Sequence, residues 1–288
     1  MPRPARWLLS AALAASALTT LGFFWVYVAS ESHLRSYRAP PIFAPGIPAD
    51  ASSITRGEHL VATLGCRGCH GVDLEGAPMW GYAVAPNLPA LVRERGVAAF
   101  EAALRHGIGS DGRAMYSMPS FSFIRLRDED VTAIAAYLVS APVRRVELPE
   151  PRLPWRIRLA LARGDDKPVA GFLPLVPPLR HAGEDTALAR GEYIAMTTCI
   201  ECHGFRLRGD DLFGSNTPDL IVIAGYDEAA FTTLMRTGKA LGDRELPMMS
   251  GVARGRFAHF TDAEVRDVFT FLKDQAEKRG PVSFRRPK

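Results

Sequence analysis

Two copies of one pentapeptide constrain this chain more than anything else in it: Cys66-Arg-Gly-Cys69-His70 and Cys199-Ile-Glu-Cys202-His203. A Cys-X-X-Cys-His run is the attachment site of a c-type haem. The two-residue spacer matches the separation of two vinyl groups on one porphyrin edge. Each thiol adds across one vinyl, and the next histidine falls under the iron as its proximal ligand. The chain has four cysteines, and the two motifs use them all, which leaves none for a disulfide or a nucleophile. A zinc site would need two more Cys or His ligands within roughly 12–20 residues. The next histidines are His106 and His259, and neither half holds a second cysteine pair. A thioredoxin-like dithiol would need a βαβ setting that the pattern does not offer.

The motifs lie in an internal repeat far longer than a solenoid unit, which means a duplicated domain. Arg56-Gly57-Glu58-His59 precedes the first motif and Arg190-Gly191-Glu192-Tyr193 the second. Downstream, Gly71, Leu74 and Gly76 are matched by Gly204, Leu207 and Gly209, and Pro86-Asn87-Leu88 by Pro218-Asp219-Leu220. Phe100, Arg105 and Gly107 answer Phe231, Arg236 and Gly238, and Asp128-Glu129-Asp130-Val131 answers Asp262-Ala263-Glu264-Val265.

Each half reads as a few helices joined by loops. The first helix carries the Arg-Gly-Glu segment, with Thr55 as its expected N-cap in half one. The i, i+4 spacing of Phe100 and Leu104 marks a middle helix. A last helix opens at Asp128 with Val131, Ile134, Ala135 and Leu138 inward. Its counterpart, capped by Thr261 or Asp262, turns Val265, Val268, Phe269 and Leu272 inward. The segment Gly76-Ala77-Pro78-Met79-Trp80-Gly81 reads as a loop, and no sustained period-2 run appears. Trp80 is a candidate to pack on the first haem edge or to serve an ordinary core role.

An electron-carrying haem needs a second axial ligand, and a soft thioether raises the potential by stabilising ferrous iron. Met118, followed by Pro119, lies as far beyond Arg105 as Met249 lies beyond Arg236. The repeat register therefore selects Met118 and Met249, with Met115 and Met248 as second choices. His59, His106, His181 and His259 read as surface or loop histidines, because none occupies the same register in both halves.

The net charge of +4 does not mark a nucleic-acid-binding module. Each half is nearly balanced, and the excess lies in Arg3, Arg6 and the 151–180 segment. Arg3 and Arg6 precede an uncharged run from Trp7 to Ser30, long enough for a bilayer crossing of about 20 residues. Aromatic residues Phe23 to Tyr27 sit at its far end, and the leading charge holds the N-terminus in the cytoplasm. A long cleaved signal peptide is the other reading. The Pro-rich stretch 142–186 reads as a stiff connector. Its basic amphipathic segment Trp155 to Arg163 suits either a membrane surface or acidic partner, or a linker helix packed between the two halves. Arg285, Arg286 and Lys288 read as a solvated tail.

The two halves resemble class I cytochrome c domains. The pattern Arg-Gly-Glu, Cys-X-X-Cys-His-Gly, Pro-Asn-Leu and Met-Pro is similar to that of the cytochrome c subunits of membrane-bound alcohol and sugar dehydrogenases. The resemblance implies an all-α fold of two tandem class I cytochrome c domains after an N-terminal transmembrane helix. The expected boundaries are an anchor over 1–30, a linker over 31–54, domains over 55–141 and 187–277 flanking the 142–186 linker, and a basic tail over 278–288. It implies two covalently bound haem c groups held by Cys66, Cys69, His70 and Met118 and by Cys199, Cys202, His203 and Met249, the His and Met residues binding iron. The implied role is electron relay rather than catalysis. The chain is expected in the inner membrane with its haem domains in the periplasm, between a dehydrogenase or quinol-oxidising complex and a downstream cytochrome or oxidase. The alternative is a di-haem enzyme such as a peroxidase, which needs one exchangeable axial position.

Overall fold

The computed structural model describes residues 3–42, 46–210 and 216–279. Residues 43–45 of the expected linker, and residues 280–288 of the expected tail with Arg285, Arg286 and Lys288, lie outside the described residues. The chain opens with α1 (Arg3–Ser36), which is exposed over its apolar first two-thirds and runs on past Ser30. The first repeat comes next as α2 (Ala51–Thr63), the single turn α3 (Arg67–His70), the hairpin β1 (Ala77–Met79) and β2 (Ala83–Ala85), α4 (Leu88–His106), the short α5 (Ser120–Phe123) and α6 (Asp128–Ser140). The connector holds α7 (Trp155–Arg163). The second repeat is α8 (Ala187–Thr198), α9 (Ile200–His203), the hairpin β3 (Arg208–Asp210) and β4 (Thr217–Asp219), a 3-10 segment over 220–225, α10 (Glu228–Thr237), the two-residue strands β5 (Lys239–Ala240) and β6 (Arg244–Glu245), α11 (Met249–Gly255) and α12 (Asp262–Lys278). Among the described residues both halves are helical, with these short antiparallel pairs and an isolated bridge between Ile108 and Ala114 added.

In each half the first and last helices cross backbone to backbone, and the glycine of Arg-Gly-Glu is the reason. A Cβ on Gly57 would stand 1.9 Å from the Ala133 carbonyl oxygen, and one on Gly191 would stand 1.9 Å from that of Asp267. The arginine beside each glycine ties the crossing. Arg56 Nε donates to the buried Asp130 at 2.6 Å, and Arg190 Nε to Asp267 at 2.7 Å. The predicted stripe of α6 is buried, as are Val265, Val268 and Leu272 of α12. Phe271 joins them in the core while Phe269 packs at its edge, because the face that continues from Val268 at helical spacing is centred on 271 and 272.

Four local expectations are corrected. The first-half helix starts before Thr55. Asp50 is its N-cap, its carboxylate accepting from Ser53 N at 2.8 Å, and these bonds hold the Asp50 pKa well below the carboxylate range. The proline-bearing segment 77–79 is strand β1, turned back at Trp80 and Gly81, which take left-handed φ of 49° and 74°. The α7 helix does not pack between the halves; it packs on α1. There Trp155 meets Phe23 at 4.7 Å between ring centroids, and Arg158 lies 4.7 Å from the Tyr27 ring centre and bonds Ser30 and Glu31, each at 3.0 Å. Val26, Ser30 and Leu34, one helical face at i, i+4, i+8, are the buried side of α1. Glu31 also pairs with Arg113 at 3.1 Å, and Leu34 O accepts from Ala114 N at 2.9 Å. The connector is likewise folded onto the halves rather than spanning between them. Val169 and Val176 are in the core, Val169 N donates to Met115 O at 2.9 Å, and Glu192 accepts from Arg180 N and His181 N.

The halves meet in a pseudo-twofold contact. His59 and Tyr193 share one position of the repeat, and Asp130 and Glu264 share another. His59 Nε2 lies 2.8 Å from Glu264, and Tyr193 Oη donates to Asp130. Each half thus offers the same face to the other, as an isologous interface does. The expectation of His59 as a surface or loop histidine is therefore corrected: it lies mid-helix, half-buried, at this interface.

Candidate functional site

Each Cys-X-X-Cys-His run folds as one helical turn. His70 N donates to Cys66 O at 3.0 Å, and His203 N to Cys199 O at 2.9 Å. The i, i+3, i+4 spacing puts both thiols and the imidazole on one face of that turn. Burial pushes the Cys66 and Cys202 thiols up to about 11 and raises Cys69 and Cys199 as well. They are protonated at neutral pH, unlike the low-pKa thiolate of a redox dithiol.

Both histidines are buried and held in the same way. His70 Nδ1 donates to Pro86 O at 2.8 Å, and His203 Nδ1 to Pro218 O at 2.8 Å. A carbonyl can only accept, so the proton sits on Nδ1 and the Nε2 lone pair is free. Desolvation pushes both imidazoles below their ordinary pKa, against the pull of the proline carbonyl. A neutral imidazole with one nitrogen fixed by a backbone carbonyl is the form that ligates a metal. This explains the Pro-Asn-Leu and Pro-Asp-Leu repeat, to which spacing along the chain assigns only a turn. The proline carbonyl aims the histidine. The next residue caps the succeeding helical segment, Asn87 Oδ1 accepting from Ala90 N at 2.9 Å and Asp219 Oδ1 from Ile221 N at 2.8 Å.

The methionine loops are clamped at their far ends by the repeat arginines. Arg105 bonds Leu126 O at 2.8 Å and Asp128 at 2.7 Å; Arg236 bonds Ala258 O at 3.0 Å, Phe260 O, and Asp262 at 2.7 Å. Met118 and Cys66 pack against one apolar cluster, which includes Val61, Leu64 and Leu74. Met249 and Cys199 pack against the other, with Ile200, Leu207 and Leu234. Buried serines offer a second way to align the loops. Ser120 Oγ bonds Ala103 O and Ser250 Oγ bonds Gly238 O, and counting back two residues from each serine pairs Met118 with Met248, which is 53% exposed. Met115 is fixed through its backbone, to Gly107 and Val169.

The rival ligands are placed elsewhere. His59 faces Glu264, His181 lies 3.2 Å from Glu184, His106 ends α4, and His259 is exposed. Trp80 is 62% exposed at its turn, away from the core. Among the described residues no three His, Cys, Asp or Glu side chains converge as a zinc site would need. The donor set of each half, two thiols and a buried neutral imidazole on one face of a turn with a thioether loop on the same core, fits an axially ligated haem.

The comparisons agree with that geometry. The cytochrome c family model matches residues 54–142 and 188–276. The chain is 26% identical to the fructose dehydrogenase cytochrome subunit of Gluconobacter japonicus, over 92% of this chain and 60% of that subunit. It is 30% identical to the gluconate 2-dehydrogenase cytochrome c subunit of Pantoea cypripedii, over 54% of this chain and 38% of that one. It is 23% identical to the cytochrome c subunit of alcohol dehydrogenase (quinone) of Gluconacetobacter polyoxogenes, over 78% and 56%. The chain thus spans less than two-thirds of the length of each. The family match covers well over half of the chain and takes in both Cys-X-X-Cys-His turns, so this is a member of the cytochrome c family carrying two covalently bound haem c groups.

Proposed function

We propose that the chain is a membrane-anchored periplasmic electron relay. It would serve a dehydrogenase or quinol-oxidising complex as donor and a downstream cytochrome or oxidase as acceptor. The observation that carries this reading is the duplicated histidine geometry, each imidazole buried, neutral and oriented by a proline carbonyl. Haem c, when bound, supplies a one-electron ferric/ferrous couple. Cys66 and Cys69, and Cys199 and Cys202, hold it by thioether bonds. His70 and His203 would give Nε2 to the iron, and Met118 and Met249 would add a soft sulfur that favours the ferrous state. A Met ligand at each iron would leave no open coordination site for a peroxidase reaction, which favours electron transfer over catalysis. Its resemblance to cytochrome subunits of dehydrogenases supports a dehydrogenase partner. The anchor would be α1, the one described helix long and apolar enough to cross a membrane. Its uncharged run extends about 36 Å at 1.5 Å per residue, against a hydrocarbon core of about 30 Å.

Alanine variants at the four methionines test the ligand set. Met118→Ala and Met249→Ala each leave both haems attached. Each abolishes the methionine-to-iron absorption of one haem, turns that haem high-spin or ligand-binding, and lowers one midpoint potential. If Met248→Ala does this and Met249→Ala is silent, the serine register governs the second half. If no methionine variant changes a haem, the relay reading with two closed irons fails.

A further inference from the structure

Arg256 belongs to the second half by sequence, yet its guanidinium sits between the two haem-attachment turns. It is buried at the C-terminus of α11. Its Nε donates to Thr63 O, the last residue of α2 in the first half, at 2.7 Å. Its Nη1 reaches Glu201, inside the second Cys-X-X-Cys-His run, at 3.2 Å. Gly65, immediately before Cys66, makes room for it: a Cβ there would stand 3.0 Å from Arg256 Cδ and 3.1 Å from Nε, and its φ of +77° favours glycine as well. The remaining Nη2 is buried without a protein partner.

A buried guanidinium costs several kcal/mol in desolvation unless something local offsets it. One backbone carbonyl and one partly exposed carboxylate are a thin set of partners for five N–H groups. The position is therefore poorly explained as a stability feature. It is well explained by its neighbours on either side, two sites that each cycle between iron states differing by one charge. A fixed charge in a low-dielectric setting acts on both over several ångströms.

We propose that Arg256 is the positioning residue of an inter-haem junction: it holds the Cys66–His70 and Cys199–His203 turns against one another and sets a positive charge that both haem sites share. The inference rests on the electron-relay reading and adds the route inside the chain. One electron crosses at a time. With haem bound, oxidation of one iron would be matched by reduction of the other, and no bond or proton would move. The shared cation favours the ferrous state on both sides, so an electron entering at either end stays within the pair until the acceptor takes it.

The test uses the full chain with both haems, in detergent. The readouts are the two midpoint potentials from an optical redox titration and the rate of electron exchange between the haems after flash photoreduction. Arg256→Gln should lower both potentials, each by about tenfold in its reduction equilibrium, about 59 mV for one electron, and slow the exchange. Glu201→Gln, which removes the partly neutralising carboxylate at constant size, should raise both. Arg256→Lys should keep both potentials near wild type while losing the two-armed hold and slowing the exchange. A structural role alone does not lower both potentials in one variant and raise both in the other. Should Arg256→Gln fail to take up haem, the Glu201→Gln and Arg256→Lys arms decide. Potentials that move in the second half only, or in neither, overturn the junction. A wild-type chain in which one haem cannot be reversibly reduced sinks the relay reading instead, so the two failures are distinguishable.

Discussion

Gly57 and Gly191 are positions where a lone hydrogen in place of a side chain lets each half close. Any side chain there meets a carbonyl oxygen of the crossing helix at 1.9 Å, backbone that cannot rotate away. Gly57→Ala or Gly191→Ala must push α2 off α6 or α8 off α12, and overpacking of this kind costs about 1–3 kcal/mol or more. Gly251 is the control. It is exposed in α11, with nothing within 4 Å of where a Cβ would stand, and alanine there should be neutral or stabilising by up to about 1 kcal/mol. Thermal unfolding of the three haem-loaded variants checks this. Equal midpoints for Gly57→Ala and Gly251→Ala would mean that the crossing relaxes freely. Tyr193→Phe is a second residue-scale test. Its hydroxyl donates to Asp130, which is fully buried and otherwise paired with Arg56. Removing a hydrogen bond to a buried charged group costs about 1.5–3 kcal/mol, read as a lower denaturant midpoint.

At the scale of elements, the clasp between α1 and α7 makes α1, the proposed anchor, part of the first half. A chain starting at Glu31 keeps both Cys-X-X-Cys-His turns and should carry both haems. It loses Phe23 against Trp155, Tyr27 under Arg158, and the buried Val26 and Ser30. Its thermal midpoint should fall by several degrees, at about 2–4 °C per kcal/mol for 150–250 residues; an unchanged midpoint would show the clasp to be incidental. Much of this architecture was legible in the sequence because it rests on short-range pattern. The apolar stripes of α6 and α12, the Thr261 cap, the Pro-X-Leu turns and both histidines follow from spacing along one segment. The α1–α7 clasp, the Arg105 and Arg236 clamps and the reason for Gly57 were not legible. Each depends on which distant segment a side chain meets, and α7 shows the same amphipathic stripe whether it faces lipid, linker or α1. The Thr55 expectation failed for a local reason: Asp50, Ser52, Ser53 and Thr55 are all competent caps, and Asp50 gains three bonds from the two serines.

On the scale of the whole molecule, the duplication built both the two haem sites and the face by which they meet. Repeat position for repeat position, His59 faces Glu264 where Tyr193 faces Asp130, so one arm of the interface carries a histidine and the other does not. The Glu264 hydrogen bond raises the His59 pKa above 6.5, against desolvation, which lowers it. A raised histidine contributes stability that is fully present below its unfolded pKa and is lost as pH rises through the folded one. The His59 arm should therefore hold in mild acid and weaken from neutral pH upward. The pair is partly exposed, with side chains 29% and 26% accessible, which limits its worth to about 1 kcal/mol or less. His106 is shifted the other way, chiefly by burial, so its contribution is lost as pH falls below 6.5, equally in wild type and in the variant below, and it cancels between their curves. The measurement is the unfolding midpoint of the haem-loaded chain across the mildly acid to mildly alkaline range, beside His59→Gln. Wild type should be the more stable at the acid end, and the two curves should converge as pH rises through the His59 pKa. Curves that stay parallel would mean that the His59 charge contributes nothing to the interface.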